Sequence, residues 1–167
     1  MMSSAAFGAK VTKSNFHWEG KKIIGDKHHG TIQLKESTVE MKDKKLVSAN
    51  FVMDMDPIDC SDLEGKWKTK FLSHIKNEDF FEVNKFKTAM LIVDKIESGT
   101  AFGKVTIKDV TKEVSFPMTA KGDTYKGTLT IDRTKFGVVY GSGNFFKNLG
   151  DKTISDDFTI DYEFVVK

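Results

Sequence analysis

A chain of 167 residues is most simply one domain, and it is long enough to bury a real core. Its 26 basic residues nearly cancel its 24 acidic ones, leaving a formal net charge of +2, and the lysines are interleaved with acids rather than gathered into the stripe of a nucleic-acid module. One cysteine, Cys60, excludes an intramolecular disulfide and any CxxC or Cys/His zinc pattern, and no apolar window is long enough for a transmembrane helix.

Residues 1–10, "MMSSAAFGAK", read as a flexible N-terminal segment. They lack the apolar core of a signal peptide. Ser3 to Ala6 are small residues of the kind found near a cleavage site, as in a mature or trimmed exported protein. In "NFHWEG", Phe16 and Trp18 share one strand face, with His17 and Glu19 on the other. "GTIQL" repeats the pattern with Ile32 and Leu34. A hairpin follows, with Val39 and Met41 on one arm and "DKK" at 43–45 as the turn. On the other arm Val47, Ala49, Phe51, Met53 and Met55 alternate with Ser48, Asn50 and Asp54, as in a strand with one dry face.

The β pattern then breaks. Ser61 and Glu64 have capping-box spacing, and Asp62 adds charge to a first helical turn. Leu63, Trp67, Phe71 and Ile75 form an apolar stripe, with Lys66, Lys68 and Lys70 outside it. The pattern predicts a helix over about 61–76. Asp79 is placed to cap a turn that aims Phe80 and Phe81 back at the protein.

Strands resume in "FKTAMLIVDKI", which carries Met90 and is apolar on both faces. Val105, Ile107, Val114, Phe116 and Met118 point inward in the next two, with "DVTK" as the turn between them. Leu129, Ile131 and Arg133 then share a face. "YGSGNFFKNLGDK" is a glycine-rich loop, and Phe158, Ile160, Tyr162, Phe164 and Val166 alternate along the last strand. The phenylalanine count of 14, with only two prolines and no leucine heptads, completes an all-β reading. About eight antiparallel strands joined by short turns tend to close. Such a barrel is just wide enough for side chains or one small ligand, with the helix over one end.

The motifs of catalysis are missing. His28 and His29 are adjacent on a strand and point to opposite faces, and no HxH or HExxH spacing occurs. The acids at 54, 56, 157, 161 and 163 read as wet strand faces rather than glycosidase pairs. No GxSxG elbow, P-loop or nucleophile–base pair is visible, so no enzyme activity, metal or cofactor is expected. What stands out is the wealth of Phe and Met on the inner faces, side chains that suit a flexible apolar ligand.

The residues quoted above, above all "LSHIKNEDFFEVNKFKTA" and "VTIKDVTKEV", resemble the YceI-like family in order and spacing from about Val11 onward. The resemblance implies an extended lipocalin-like antiparallel barrel over 11–167 with a long apolar pore. It implies binding of a polyisoprenoid or isoprenoid quinone for transport or storage, and a periplasmic or secreted location. The expected pore residues are Trp18, Ile32, Leu34, Phe51, Met53 and Met55, then Met90, Val105, Ile107, Phe116, Met118, Leu129, Ile131, Phe158 and Ile160. The helix and turn would cover the pore with Trp67, Phe71, Ile75, Phe80 and Phe81. Arg133, inward near a barrel end, needs a partner. A carboxylate such as Asp132 or an acid of the last strand would serve, and so would the polar head of the ligand. Two other readings stay open: a binder of a smaller lipid such as a fatty acid or amide, or an enzyme acting on one. A third is an interaction module with a solid core. The expected partner is a hydrophobic lipid, with no nucleic acid and no stable membrane insertion; a homodimer is compatible with the sequence.

Overall fold

A computed structural model describes residues 8–167. Residues 1–7 of the expected flexible segment lie outside them, while the backbones of Lys10 and Lys167 already exchange two hydrogen bonds. Nine strands form one antiparallel sheet. In chain order they are β1 (Val11–Lys21), β2 (Lys27–Lys42), β3 (Lys45–Cys60), β4 (Thr88–Glu97), β5 (Thr100–Ile107), β6 (Val110–Pro117), β7 (Thr119–Lys121), β8 (Thr124–Asp132) and β9 (Asp157–Val166). The sheet order is β6-β5-β4-β3-β2-β1-β9-β8-β7.

The two edge strands, β6 and β7, follow each other in the chain with only Met118 between them. The chain therefore steps from one edge of the sheet to the other and closes the barrel almost completely. The Tyr162 hydroxyl donates to the Pro117 carbonyl across this seam at 2.7 Å. Gly127 makes the approach possible: a Cβ there would stand 2.3 Å from the Pro117 oxygen and 2.6 Å from the Tyr162 hydroxyl.

Two details of the strands differ from the sequence pattern. Leu46 rather than Val47 is buried, because the β2–β3 register shifts between Glu40 and Met41 and re-aims the start of β3. The β5–β6 turn is Lys108–Asp109, both at positive φ, one residue earlier than "DVTK" suggested.

The helix α1 spans Gly65–Lys76, four residues shorter at its start than the capping-box pattern implied. Strand β3 continues to Cys60 and takes the preceding residues with it. Ser61 caps nothing; its N–H bonds the His29 carbonyl. Asp62 is held outside the helix, accepting from the His29 N–H at 2.9 Å and pairing with His28 Nδ1 at 2.7 Å. Past the helix, Asn77 takes the turn-forming role expected of Asp79, its side chain accepting the Asp79 N–H at 2.8 Å. The turn does bury Phe80, with Phe81 half-buried beside it.

The interior divides in two. One part of the barrel is solid, built on Phe51, which lies 5.0 Å from Phe164 and 5.9 Å from Phe16 between ring centres. Tyr125 stacks on Phe164 at 5.3 Å, and Phe116 meets Tyr162 edge-on at 5.5 Å. A smaller cluster of Trp18, Ile58, Cys60, Ile75, Phe80 and Val138 lies against the helix.

Candidate functional site

Between these two clusters the barrel holds a cavity of about 570 Å³. Inner-face residues of the strands form its wall: Phe16, Trp18, Ile32, Met53, Met55 and Ile58 on the first three, then Ala89, Leu91, Val105, Ile107, Leu129, Ile131, Phe158, Ile160 and Tyr162. The helix and the turn after it supply Phe71, His74, Ile75, Phe80 and Phe81, with Tyr140 from the loop after β8. Phe71 stacks on Trp18 at 5.9 Å, and the Trp18 indole N–H donates to the Asp59 carbonyl at 2.9 Å. His74, Phe80 and Tyr140 pack ring against ring at 4.6 to 5.5 Å. The wet side is a rim of Lys21, Lys22, Asp26, Lys152 and Asp157.

Most of the residues expected to line a pore border this cavity, and five do not. Phe51, Phe116 and Met118 belong to the solid part, where ring-on-ring packing leaves no space. Leu34 packs against the same core just before a register shift in β2. Met90 borders the cavity, but its cross-strand neighbours Val52 and Thr106 put it on the opposite face from Ala89 and Leu91.

Trp67 is the fifth and the clearest miss, 61% exposed on the outer side of the helix. Apolar residues four apart drift about 40° per step around a helix of 3.6 residues per turn. Trp67 therefore stands well round from Ile75, and Leu72 takes its place against the smaller cluster. Lys66 and Lys70 sit over the indole at 5.5 and 6.0 Å. Trp67→Ala is expected to change the melting temperature by no more than about 2 °C, within the usual range of surface substitutions, and to leave ligand release unaltered. A fall of the size seen for core aromatics in a thermal melt would show that the indole packs inward.

Arg133 is buried, with 3% of its surface exposed, and it faces the cavity. Neither Asp132 nor an acid of the last strand holds it. Three backbone carbonyls do: Nη1 donates to Val138 at 2.8 Å, Nε to Ser155 at 3.0 Å and Nη2 to Ile154 at 3.1 Å. Phe80 lies under the guanidinium at 5.8 Å. Burial lowers the Arg133 pKa, and the charges of Asp156 and Asp132 oppose that shift from a distance. The Asp132 carboxylate is used locally, accepting from the Thr134 N–H and hydroxyl. Lys22, Asp26, Lys152, His74, Tyr140 and Ile154 lie outside the strands, where no alternation could single them out.

Among the described residues one group could approach a metal: His28, Cys60 and Asp62, with ligand atoms within 4.8 Å of one another. Zinc would require Cys60 as a thiolate. Burial and the Asp62 hydrogen bond, 3.1 Å from the sulfur, push that thiol the other way. The group reads better as a clasp joining the end of β3 to β2. Burial opposes ionisation of Asp62, but the His29 N–H, His28 and the Cys60 thiol prevail and hold its carboxyl well below the usual range. A depressed folded value gives stability that is complete above the unfolded value of about 3.9 and is lost as pH falls below it. Asp62→Asn should thus unfold at lower denaturant concentration at neutral pH. It should also lose less stability than the parent between neutral and strongly acid pH. Parallel curves for the two proteins would remove Asp62 from the acid response.

Comparison with known proteins agrees with this architecture. The crystal structure of Burkholderia cenocepacia BcnA superimposes with a TM-score of 0.68 at 22% identity, over 92% of this chain and 96% of that one. A polyisoprenoid-binding domain from Saccharophagus degradans, implicated in plant cell wall breakdown, does so at 0.62 and 9% identity, over 95% and 97%. The Campylobacter jejuni YCEI protein reaches 0.54 at 14% identity, over 79% and 82%. No curated protein sequence matches the chain. At these identities the likeness is one of fold. The sequence pattern itself goes further, since the model of the YceI-like domain matches residues 8–166. The strands, the helix over the barrel and the turn after it all fall within that match, and the chain belongs to the YceI-like family.

Proposed function

We propose that this protein binds a long apolar lipid, a polyisoprenoid or an isoprenoid quinone, in the barrel cavity and carries or stores it. The observation that supports this most directly is the cavity itself: a space of about 570 Å³ whose deep wall is almost wholly apolar, opening to a charged rim. That volume falls in the range of roughly 300–1,000 Å³ typical of small-molecule sites. The similar fold of a polyisoprenoid-binding domain supports this ligand class. No strong polar anchor is needed. At about 0.3 kcal/mol per heavy atom, a 40-carbon chain approaches about 12 kcal/mol.

The protein acts by sequestration. The inner-face side chains replace water around the tail, and Phe71, Phe80 and Phe81 cover it. Periplasmic or secreted placement, where such a carrier would shuttle lipid through water, accompanies this reading. The test is native mass spectrometry of freshly purified protein, followed by titration with a polyprenyl lipid. Trp18 faces the cavity, so in a Trp67→Phe background its fluorescence reports ligand entering beside it. A bound lipid and a saturable change in Trp18 emission are expected. A ligand-free protein that takes up neither polyprenyl lipid nor quinone would overturn the proposal, and selective retention of a fatty acid or amide would favour the smaller-lipid alternative.

A further inference from the structure

Among the described residues, six large apolar side chains are exposed: Ile23, Ile24, Trp67, Tyr140, Phe145 and Phe146. Five of them lie in just two loops, the one at 22–26 between β1 and β2 and the stretch at 140–153 after β8, and exposure within that set reaches 69% at Ile24. The loops are sequence-distant but joined by backbone hydrogen bonds. The Ile23 N–H donates to the Thr153 carbonyl at 2.9 Å and the Ser155 N–H to the Lys21 carbonyl at 2.8 Å. Ile23 shares a small depression with Gly143 and Asn144, just before the two phenylalanines. The same loops and the end of β1 give the cavity its rim through Lys21, Lys22 and Lys152, and Tyr140 lines the cavity itself.

We infer that this rim is a docking surface for an anionic lipid bilayer, which places the cavity mouth against the membrane for loading and unloading. The purpose of the surface rests on the carrier reading above, while its existence does not. Exposed aliphatic and aromatic tips beside lysines are the chemistry of peripheral membrane attachment: the tips enter the acyl boundary and the amines meet the headgroups. The charge is biased in the right direction. At the cavity mouth Lys21, Lys22 and Lys152 outnumber Asp26 and Asp157, and Lys147 directly follows the exposed Phe145 and Phe146. A protein partner would leave the position of the patch unexplained. A bilayer accounts for it, because a lipid ligand leaves and enters by way of the membrane.

The experiment is flotation of the full chain with vesicles of phosphatidylcholine alone and of phosphatidylcholine mixed with phosphatidylglycerol. The double variant Ile24→Glu with Phe145→Glu is run beside it. Both positions are exposed and neither lines the cavity, so the variant keeps its fold and its retained lipid, which thermal melts and native mass spectrometry verify. The parent is expected to float with the mixed vesicles, less with the neutral ones, and less again in high salt. The double variant should partition at least about tenfold more weakly, since each tip contributes roughly its transfer free energy. Three results overturn the inference: a parent that floats with neither vesicle, a variant that floats as well as the parent, or a parent dimer that the variant dissolves without any vesicle binding. The last would make a second copy of the chain the occupant. A parent that retains lipid but never floats separates failure of the docking surface from failure of the carrier.

Discussion

Arg133→Met is expected to lower stability by about 3–5 kcal/mol, the cost typical of removing one partner from a buried charged contact. For a chain of this size that corresponds to a melting temperature roughly 10 °C lower or more. The guanidinium is the hub on which the irregular segment between β8 and β9 converges. Its three donors satisfy Val138, Ile154 and Ser155, which belong to stretches without a sheet ladder of their own. Methionine fills similar volume but leaves those carbonyls unpaired in a dry site, at about 1–3 kcal/mol for each that water cannot reach. Arg133→Lys keeps the charge, yet an ammonium cannot span the three directions that the planar fork serves. It should fall between the parent and the methionine variant. Circular dichroism melts of the three proteins decide the matter. If lysine melts like arginine while affinity for a polar-headed prenyl lipid drops, the fork serves the ligand rather than the chain. An unchanged melt for the methionine variant would show that the carbonyls find other partners.

The part of Arg133 legible in the sequence was its inward position, since it continues the two-residue spacing of Leu129 and Ile131 just past the end of β8. Its partners were not legible, because backbone carbonyls carry no residue signature. The same division runs through the molecule. Alternation located the buried faces of β3 and β9, where one side of the strand is dry. It could not say whether a buried phenylalanine meets another ring or an empty space. Phe51 and Met53 are neighbours on one face, and only Met53 borders the cavity. Helical periodicity found α1 but overextended it, because a capping pattern at Ser61 and Glu64 cannot reveal that β3 runs on to Cys60. The rim depends on hydrogen bonds between loops more than a hundred residues apart, such as Ile23 with Thr153. Nothing local in either loop encodes that meeting.

Phe51→Ala carries a comparably large expected effect, and it tests where the hollow ends. The ring is 1% exposed and makes a tilted contact with Phe164 and an edge contact with Phe16. Truncation removes that packing and leaves a void, at about 3–5 kcal/mol. Phe16 also borders the cavity, whereas Phe164 and Tyr125 do not. Phe51 thus stands at the boundary between the solid and hollow parts, and its removal should deepen the cavity toward Tyr125. The retained lipid population, read by native mass spectrometry under conditions where the variant is folded, should shift toward longer chains. Phe80→Ala acts at the other boundary. It opens the cover formed with His74, Tyr140 and Arg133. It should speed lipid release at equal folded fraction without lengthening the preferred chain. The two variants therefore separate depth from closure. If Phe51→Ala loses stability but retains the parent's lipids, the tail does not reach the aromatic wall, and chain length is set at the mouth instead.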